Sequence, residues 1–317
     1  MEKKPLIVLT GPTAVGKTKA SIDLAKAIDG EIISADSMQV YRGMDIGSAK
    51  IRPEEMQGIR HYLVDVLEPE EEFHVVRFQQ MAKAAMEEIY AKGKIPILVG
   101  GTGFYIQAVL YDIDFTENEE DQSYRTELEN LAREQGADCL HQMLRKVDPA
   151  SADAIHANNV KRVIRALEFF KQTGQAISAH NEQERAKKSP YDFCYFVLDD
   201  VRNVLYERID RRIDTMLEEG LVEEVQRLKE RGLTKDMVSM QGLGYKEILD
   251  YLDGNYSLEE AVAILKRDTR HFAKRQLTWF RREREVCWID KAAFDYDEAQ
   301  ILNVMLEQIR ERTSIRC

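Results

Sequence analysis

Short β-rich apolar runs alternate with longer helix-period segments over the first 110 residues, a pattern that predicts a largely parallel sheet. "PLIVL" at 5–9 and "EIISA" at 31–35 flank an amphipathic helix from about Lys17 to Ile28, with Gly30 as its stop. Strands joined by a helix in this way run parallel. "HYLVDV" at 61–66 reads as a further strand, Val76 to Lys92 as a helix ended by Gly93, and "IPILVGG" at 95–101 as another strand. From about Tyr111 to Pro190 the strand signals disappear. "FTENEED" reads there as an acidic loop, and "YRTELENLAREQG" and "VKRVIRALEFFKQTG" as helices with Gly just past their ends. "FCYFVLD" at 193–199 restores a buried strand, and the remainder reads as helical. Ser257 and Glu260 form an S-x-x-E capping box ahead of a long basic helix. The expected architecture is α/β: a parallel sheet flanked by helices over 1–111 and 191–317, with an inserted all-helical domain at 112–190.

Composition narrows this only a little. At 317 residues the chain can bury one main domain and a smaller one. Hydrophobic content of 44% and charged content of 32% fit a soluble globular protein. No apolar run approaches the roughly 18 residues of a membrane span, and the apolar start reads as a first strand rather than a signal peptide. Cys139, Cys194, Cys287 and Cys317 form no C-x-x-C, which argues for the reducing cytoplasm and against a zinc site or disulfide framework. The histidines are dispersed, so no protein-built transition-metal site is expected.

Charge changes the picture more. A net charge of −11 counts against non-specific nucleic-acid binding by the whole surface, yet Lys266 to Arg284 holds eight Lys or Arg against two acids. Such a segment is either a local nucleic-acid footprint or a solvated helix face.

The strongest chemical signal is "LIVLTGPTAVGKTKA" at 6–20, a strand, then G-x-x-x-x-G-K-T, then a helix. In such a P-loop the backbone N–H groups of Gly11, Pro12, Thr13, Ala14, Val15 and Gly16 (proline excepted, which has none) surround an anion at a helix N-terminus. Lys17 should reach phosphate oxygens, and the Thr18 hydroxyl should hold Mg²⁺. Ligands of open parallel sheets bind beyond the strand carboxyl ends. "SADSMQVY" places Asp36 and Ser37 there, and the "ILVGG" strand ends in Thr102. Asp36 is a magnesium ligand, a proton acceptor or a surface aspartate; Thr102 alone is weak, since "GGTG" also suits a tight turn. On the helix beginning near Val201, Val201, Leu205, Ile209, Ile213 and Met216 share one face, with Arg212 inside that arc, Arg208 at its edge and Arg211 pointing away. A buried arginine needs an anion, either a phosphate or an internal carboxylate.

These parts describe a small-molecule kinase quite well, but two features fit poorly. The "ILVGG" strand lacks a terminal acid for magnesium, and Asp65, a substitute, sits inside its apolar run. The basic-aromatic helix also has no task in a metabolite kinase.

Taken together, "GPTAVGKT", "ISADSMQVYRGMDIGSAK", "LVGGTGFY", "QGLGYKEI" and "AKRQLTWFRR" resemble the tRNA dimethylallyltransferase (tRNA isopentenyltransferase) family in its bacterial form, in matching order from Thr10 to about Arg284. The resemblance implies transfer of a dimethylallyl group from dimethylallyl diphosphate to N6 of the adenosine 3′ of a tRNA anticodon. The loop would then hold the leaving diphosphate, helped by Lys17, Mg²⁺ on Thr18, and Arg212 or Arg208. Asp36 would take the N6 proton, and Thr102 would bond near the amine or the diphosphate. Asp36, Ser37, Met38, Gln39 and Thr102 would line the tRNA side. Gln241, Gly242, Leu243, Gly244, Tyr245 and Lys246, with Lys274, Arg275, Gln276, Trp279 and Arg281, would grip the anticodon stem-loop. The insertion would contact the loop through Lys161, Arg162 and Arg165, with Arg125. Ser48 departs from the more usual threonine but keeps the hydroxyl, and no C-terminal zinc finger is expected. A monomer is favoured. The competing readings are a P-loop kinase and a nucleotide-gated RNA-binding module without covalent chemistry.

Overall fold

The computed structural model describes residues 3–115 and 123–315; most of the acidic loop (116–121) and Cys317 lie outside the described residues. The strands are β1 (Pro5–Thr10), β2 (Gly30–Ala35), β3 (His61–Tyr62), β4 (Ile95–Gly100), β5 (Asp192–Asp199) and β6 (Val286–Asp290). All pair in parallel, in the order β3-β2-β4-β1-β5-β6. Helices cover both faces of parallel sheets, so central strands are buried throughout; every residue of β2 is buried, as are Leu6 to Thr10 of β1. The register Thr10–Gly100 and Ala35–Gly100 lines up the carboxyl ends of β1, β2 and β4.

The helices of the sheet-containing unit are α1 (Lys17–Ala27), α2 (Val75–Ala91) and α3 (Gly103–Leu110) before the insertion. The insertion carries α4 (Ser123–Gln135), α5 (Ala137–Val147), α6 (Pro149–Ala154), α7 (Val160–Thr173) and α8 (Ile177–Ala186). The sheet unit resumes with α9 (Arg202–Glu218), α10 (Leu221–Glu230), α11 (Tyr245–Leu252), α12 (Leu258–Phe280) and α13 (Glu298–Arg312). The Ser257–Glu260 capping box opens α12, with both reciprocal bonds made.

The chain forms two compact units, Met1–Leu110 with Pro190–Cys317, and Tyr111–Ser189. The helical unit has a core of its own, from Leu128, Leu140, Leu144, Val163, Ile164 and Leu167. Its buried Asp148 accepts four bonds, from the N–H and hydroxyl of both Ser151 and Ser178, and so ties α6 to α8. Among the described residues no helix is long and apolar enough to cross a membrane.

Four local expectations are corrected. Gly30 does not stop α1: Asp29 turns the chain at φ 50°, and Gly30 opens β2, where a Cβ would lie 2.8 Å from the Ile97 side chain. The 61–66 strand stops after two residues because Leu63 and Asp65 take positive φ. Asp65 is held there by Lys50, whose buried ammonium also donates to the Tyr41 carbonyl and Asp45. A sixth strand, β6, lies in the supposedly all-helical tail, with Cys287 and Ile289 inward and Trp288 and Asp290 exposed. It sets the buried Cys287 thiol 4.0 Å from that of Cys194. Finally, Val201 is an exposed N-cap of α9 rather than part of its buried face.

Candidate active site

The phosphate loop follows β1 and is shaped by close packing. Gly11 has φ 150°, and a Cβ on it would lie 2.5 Å from the Leu198 carbonyl oxygen. Gly16, at φ 96°, is the N-cap of α1 and leaves the helix's first N–H groups facing the loop. Lys17 folds back over this loop, donating to the carbonyls of Gly11 (2.9 Å) and Pro12 (2.8 Å).

Electrostatics join three of the expected residues. Burial and, after it, neighbouring Arg212 push Lys17 down to about 8 against the opposing charge of Asp36. Arg212 is likewise lowered by burial, with Asp36 as the opposing charge. No ion pair holds the Arg212 guanidinium among the described residues. Arg208 is different: it pairs with the fully buried Asp200 carboxylate at 2.5 Å and lies over the Tyr296 ring. Asp200 also accepts from the Val201 N–H and the Tyr296 hydroxyl. Arg208 is therefore paired with a buried carboxylate, as Arg212 is not.

Asp36 follows β2, and its Oδ1 accepts from the N–H groups of Met38 (2.8 Å) and Gln39 (3.3 Å). That turn spends one oxygen on the backbone; Oδ2 has no protein donor among the described residues. Gln39 also bonds the Ala49 carbonyl. Thr102 sits beside Asp36 because its N–H meets the Ala35 carbonyl at 3.4 Å. Ser37 is half-buried in the same turn, and Thr18 is exposed at the start of α1.

The basic helix divides in two. Lys266 and Arg270 pair with Asp214 (2.5 Å) and Asp210 (2.6 Å) of α9, and Arg267 with Asp268. The C-terminal half keeps its cations exposed: Lys274, Arg275 and Arg282, with His271, Thr278 and Trp279, line a surface cavity of about 390 Å³. Arg281 is exposed nearby. Gln276 is buried and donates to the Gly101 carbonyl while accepting from the Thr13 N–H, so its expected place among the RNA contacts is corrected.

The "QGLGYK" segment is mostly structural. Tyr245 is fully buried, donates to Glu224 (2.8 Å) and accepts from the Ser48 N–H (3.1 Å). A Cβ on Gly47 would lie 2.6 Å from its ring, and one on Gly242 2.5 Å from the end of Met38. Gly244 is the buried N-cap of α11, Leu243 is half-buried, and Lys246 pairs with Glu247. Gln241 is exposed and donates to the Lys235 carbonyl. Tyr245 is thus not available as an RNA contact. In the helical unit Lys161 and Arg162 are exposed on α7, and burial lowers half-buried Arg165. Arg125 forks onto buried Glu168 at 2.9 and 2.7 Å while its side chain stays 46% exposed.

A family profile described as IPP transferase matches residues 39–283. This chain belongs to the IPP transferase family. It is 63% identical to a tRNA dimethylallyltransferase of Lachnoclostridium phytofermentans over 99% of this chain and all of that one. A tRNA dimethylallyltransferase of Acetivibrio thermocellus is 52% identical, covering 94% and 96% of the two chains. Among solved structures, a full-length tRNA isopentenylpyrophosphate transferase of Bacillus halodurans aligns with TM-score 0.73 and 48% identity over 98% of each chain. A eukaryotic dimethylallyltransferase acting on tRNA aligns with TM-score 0.83 and 29% identity, covering 99% of this chain and 81% of that one.

Two side chains of this IPP transferase were missed in the sequence. Glu224 is buried on α10 and accepts from the N–H groups of Asp45, Ile46 and Gly47. Its spacing from Leu221, Val225 and Leu228 carried the signal, an acid on an apolar helix face. Lys291 is buried, pairs with Glu298, and ends 3.0 Å from where a Cβ on Gly16 would be; no local pattern marked it.

Proposed function

We propose that this IPP transferase moves a dimethylallyl group from dimethylallyl diphosphate to N6 of the adenosine 3′-adjacent to a tRNA anticodon. The observation that carries the reading is that two desolvated cations, Lys17 at the start of α1 and Arg212 on α9, feel the charge of one carboxylate, Asp36 after β2, without an ion pair to it among the described residues. One acid cannot satisfy both cations, so the pocket favours an anion.

The chemistry follows from these groups. The adenine leaves its stack to reach the pocket. Its N6 lone pair bonds to the allylic carbon while the carbon–oxygen bond breaks, its electrons departing with diphosphate. Lys17 exchanges the Gly11 and Pro12 carbonyls for phosphate oxygens, and Arg212 with the loop N–H groups stabilises the charge that develops there. Asp36 takes the N6 proton on the oxygen that the Met38 and Gln39 N–H groups leave free. Thr102, beside Asp36, orients the amine or the adjoining diphosphate oxygen.

The residues also suit Mg²⁺, which accepts few protein ligands and several from phosphate and water; Thr18 would hold it, and it would supply further neutralisation of the diphosphate. The exposed cations of α12, with Lys161 and Arg162 of α7, suit the phosphates of the anticodon stem-loop, and Trp279 adds an aromatic surface. A metabolite kinase is disfavoured because Asp65, its spare acid, is bound to Lys50.

One incubation of the protein with tRNA, dimethylallyl diphosphate, ATP and Mg²⁺ tests this. Mass spectrometry should find prenylated adenosine with ATP intact, and Asp36→Ala should slow transfer by about 10²–10⁴. ATP consumption without prenylation would return the chain to the kinases.

A further inference from the structure

Gln276 lies on α12 among its cations, yet nothing about its surroundings suits an RNA contact. The side chain is 6% exposed. Its Oε1 accepts from the Thr13 N–H at 2.9 Å, and its Nε2 donates to the Gly101 carbonyl at 3.0 Å. The two ends of one amide thus bond groups of opposite polarity, one on the phosphate loop and one on the turn that carries Thr102. The turn is built to admit them. A Cβ on Gly101 would lie 2.2 Å from Gln276 Nε2, and one on Gly103 would lie 2.2 Å from the Trp279 ring, one helical turn further along. Helix α12 therefore grips the residues on both sides of Thr102.

We propose that Gln276 is a positioning residue for the diphosphate subsite, fixing the phosphate loop against the Thr102 turn and acting on dimethylallyl diphosphate rather than on RNA. The inference rests on the reading of the loop as the holder of the leaving diphosphate. Its physical basis is polarity. A buried peptide N–H and a buried carbonyl both need a partner, and glutamine is the side chain of this length that offers an acceptor and a donor at once. Glutamate keeps the acceptor but turns a second oxygen toward the Gly101 carbonyl and adds negative charge beside an anion site. Methionine fills the space and bonds neither group.

The test uses the full chain with Gln276→Met and Gln276→Glu, each checked for a cooperative melt. Calorimetry reads the affinity for inorganic diphosphate without RNA, and steady-state kinetics give KM for dimethylallyl diphosphate and for tRNA separately. Gln276→Met should weaken diphosphate by about tenfold, the loss expected for one or two buried hydrogen bonds. KM for the prenyl substrate should rise in step while KM for tRNA stays within about twofold. Gln276→Glu should be worse for diphosphate than Gln276→Met. Gly101→Ala, which displaces the same amide, should cost affinity in the native background and little in Gln276→Ala, because the two changes break one contact. Unchanged diphosphate affinity with a raised KM for tRNA would make Gln276 an RNA contact and overturn the proposal, as would additive effects of Gly101→Ala and Gln276→Ala. Diphosphate binding needs no prenyl transfer, so the inference can be judged even if the transferase reading fails.

Discussion

Lys17 concentrates the electrostatics of the site in one titration. Its folded value near 8 lies below the ordinary 10.5, so the charged ammonium costs stability. That cost is present below about 8 and is removed as pH rises from about 8 to 10.5, the window in which the unfolded chain binds the extra proton. Heteronuclear NMR of the lysine side chains should find Lys17 titrating near 8. In Asp36→Asn the midpoint should fall, because Asp36 is the charge holding it up; a midpoint near 10.5 in the native protein would contradict the geometry. At this scale the motifs mark positions along the chain without giving their orientation. Asp36, Thr102 and Arg212 were legible as the ends of strands and the inside of a helix face. Tyr245, Gln276 and Arg125 belong to the same patterns, yet each is bonded inward by a partner far along the chain, which no local spacing reveals.

At the scale of elements, the parallel order could be read from alternating β and α segments, because burial on both faces leaves continuous apolar runs. Two strands depart from that logic, one shorter than its apolar run and one unmarked by any. β3 is cut short by Lys50, eleven residues before it in the sequence, and β6 is an edge strand that buries alternate residues only. The segment between β2 and β3 is held instead by Glu224, whose carboxylate receives three backbone N–H groups and the Tyr245 hydroxyl. Glu224→Gln offers an NH₂ where two or more donors converge. It should cost on the order of 3 kcal/mol in urea unfolding, with the m-value unchanged. A loss under about 0.5 kcal/mol would mean the cradle contributes little.

At the scale of the whole molecule, the helical unit is separable in principle, since its apolar side chains converge on one another and Asp148 crosslinks two of its helices. A fragment spanning 111–189 should show helical circular dichroism and a cooperative thermal transition, though with the modest stability of a domain of about 80 residues. A featureless melt would show that it depends on the rest of the chain. The sheet order has a further consequence during synthesis. β1 pairs on one side with β4 and on the other with β5, and the helical unit is translated between those two. At roughly 5–20 residues per second, β1 keeps an open edge for about 5–18 s after β4 has emerged. Such an edge is a template for unwanted pairing, and Gly11 lacks the Leu198 carbonyl against which it packs until β5 arrives. The nascent chain thus carries its phosphate-loop sequence from the first seconds but acquires the loop's shape only late in translation, after an entire second folding unit has left the ribosome.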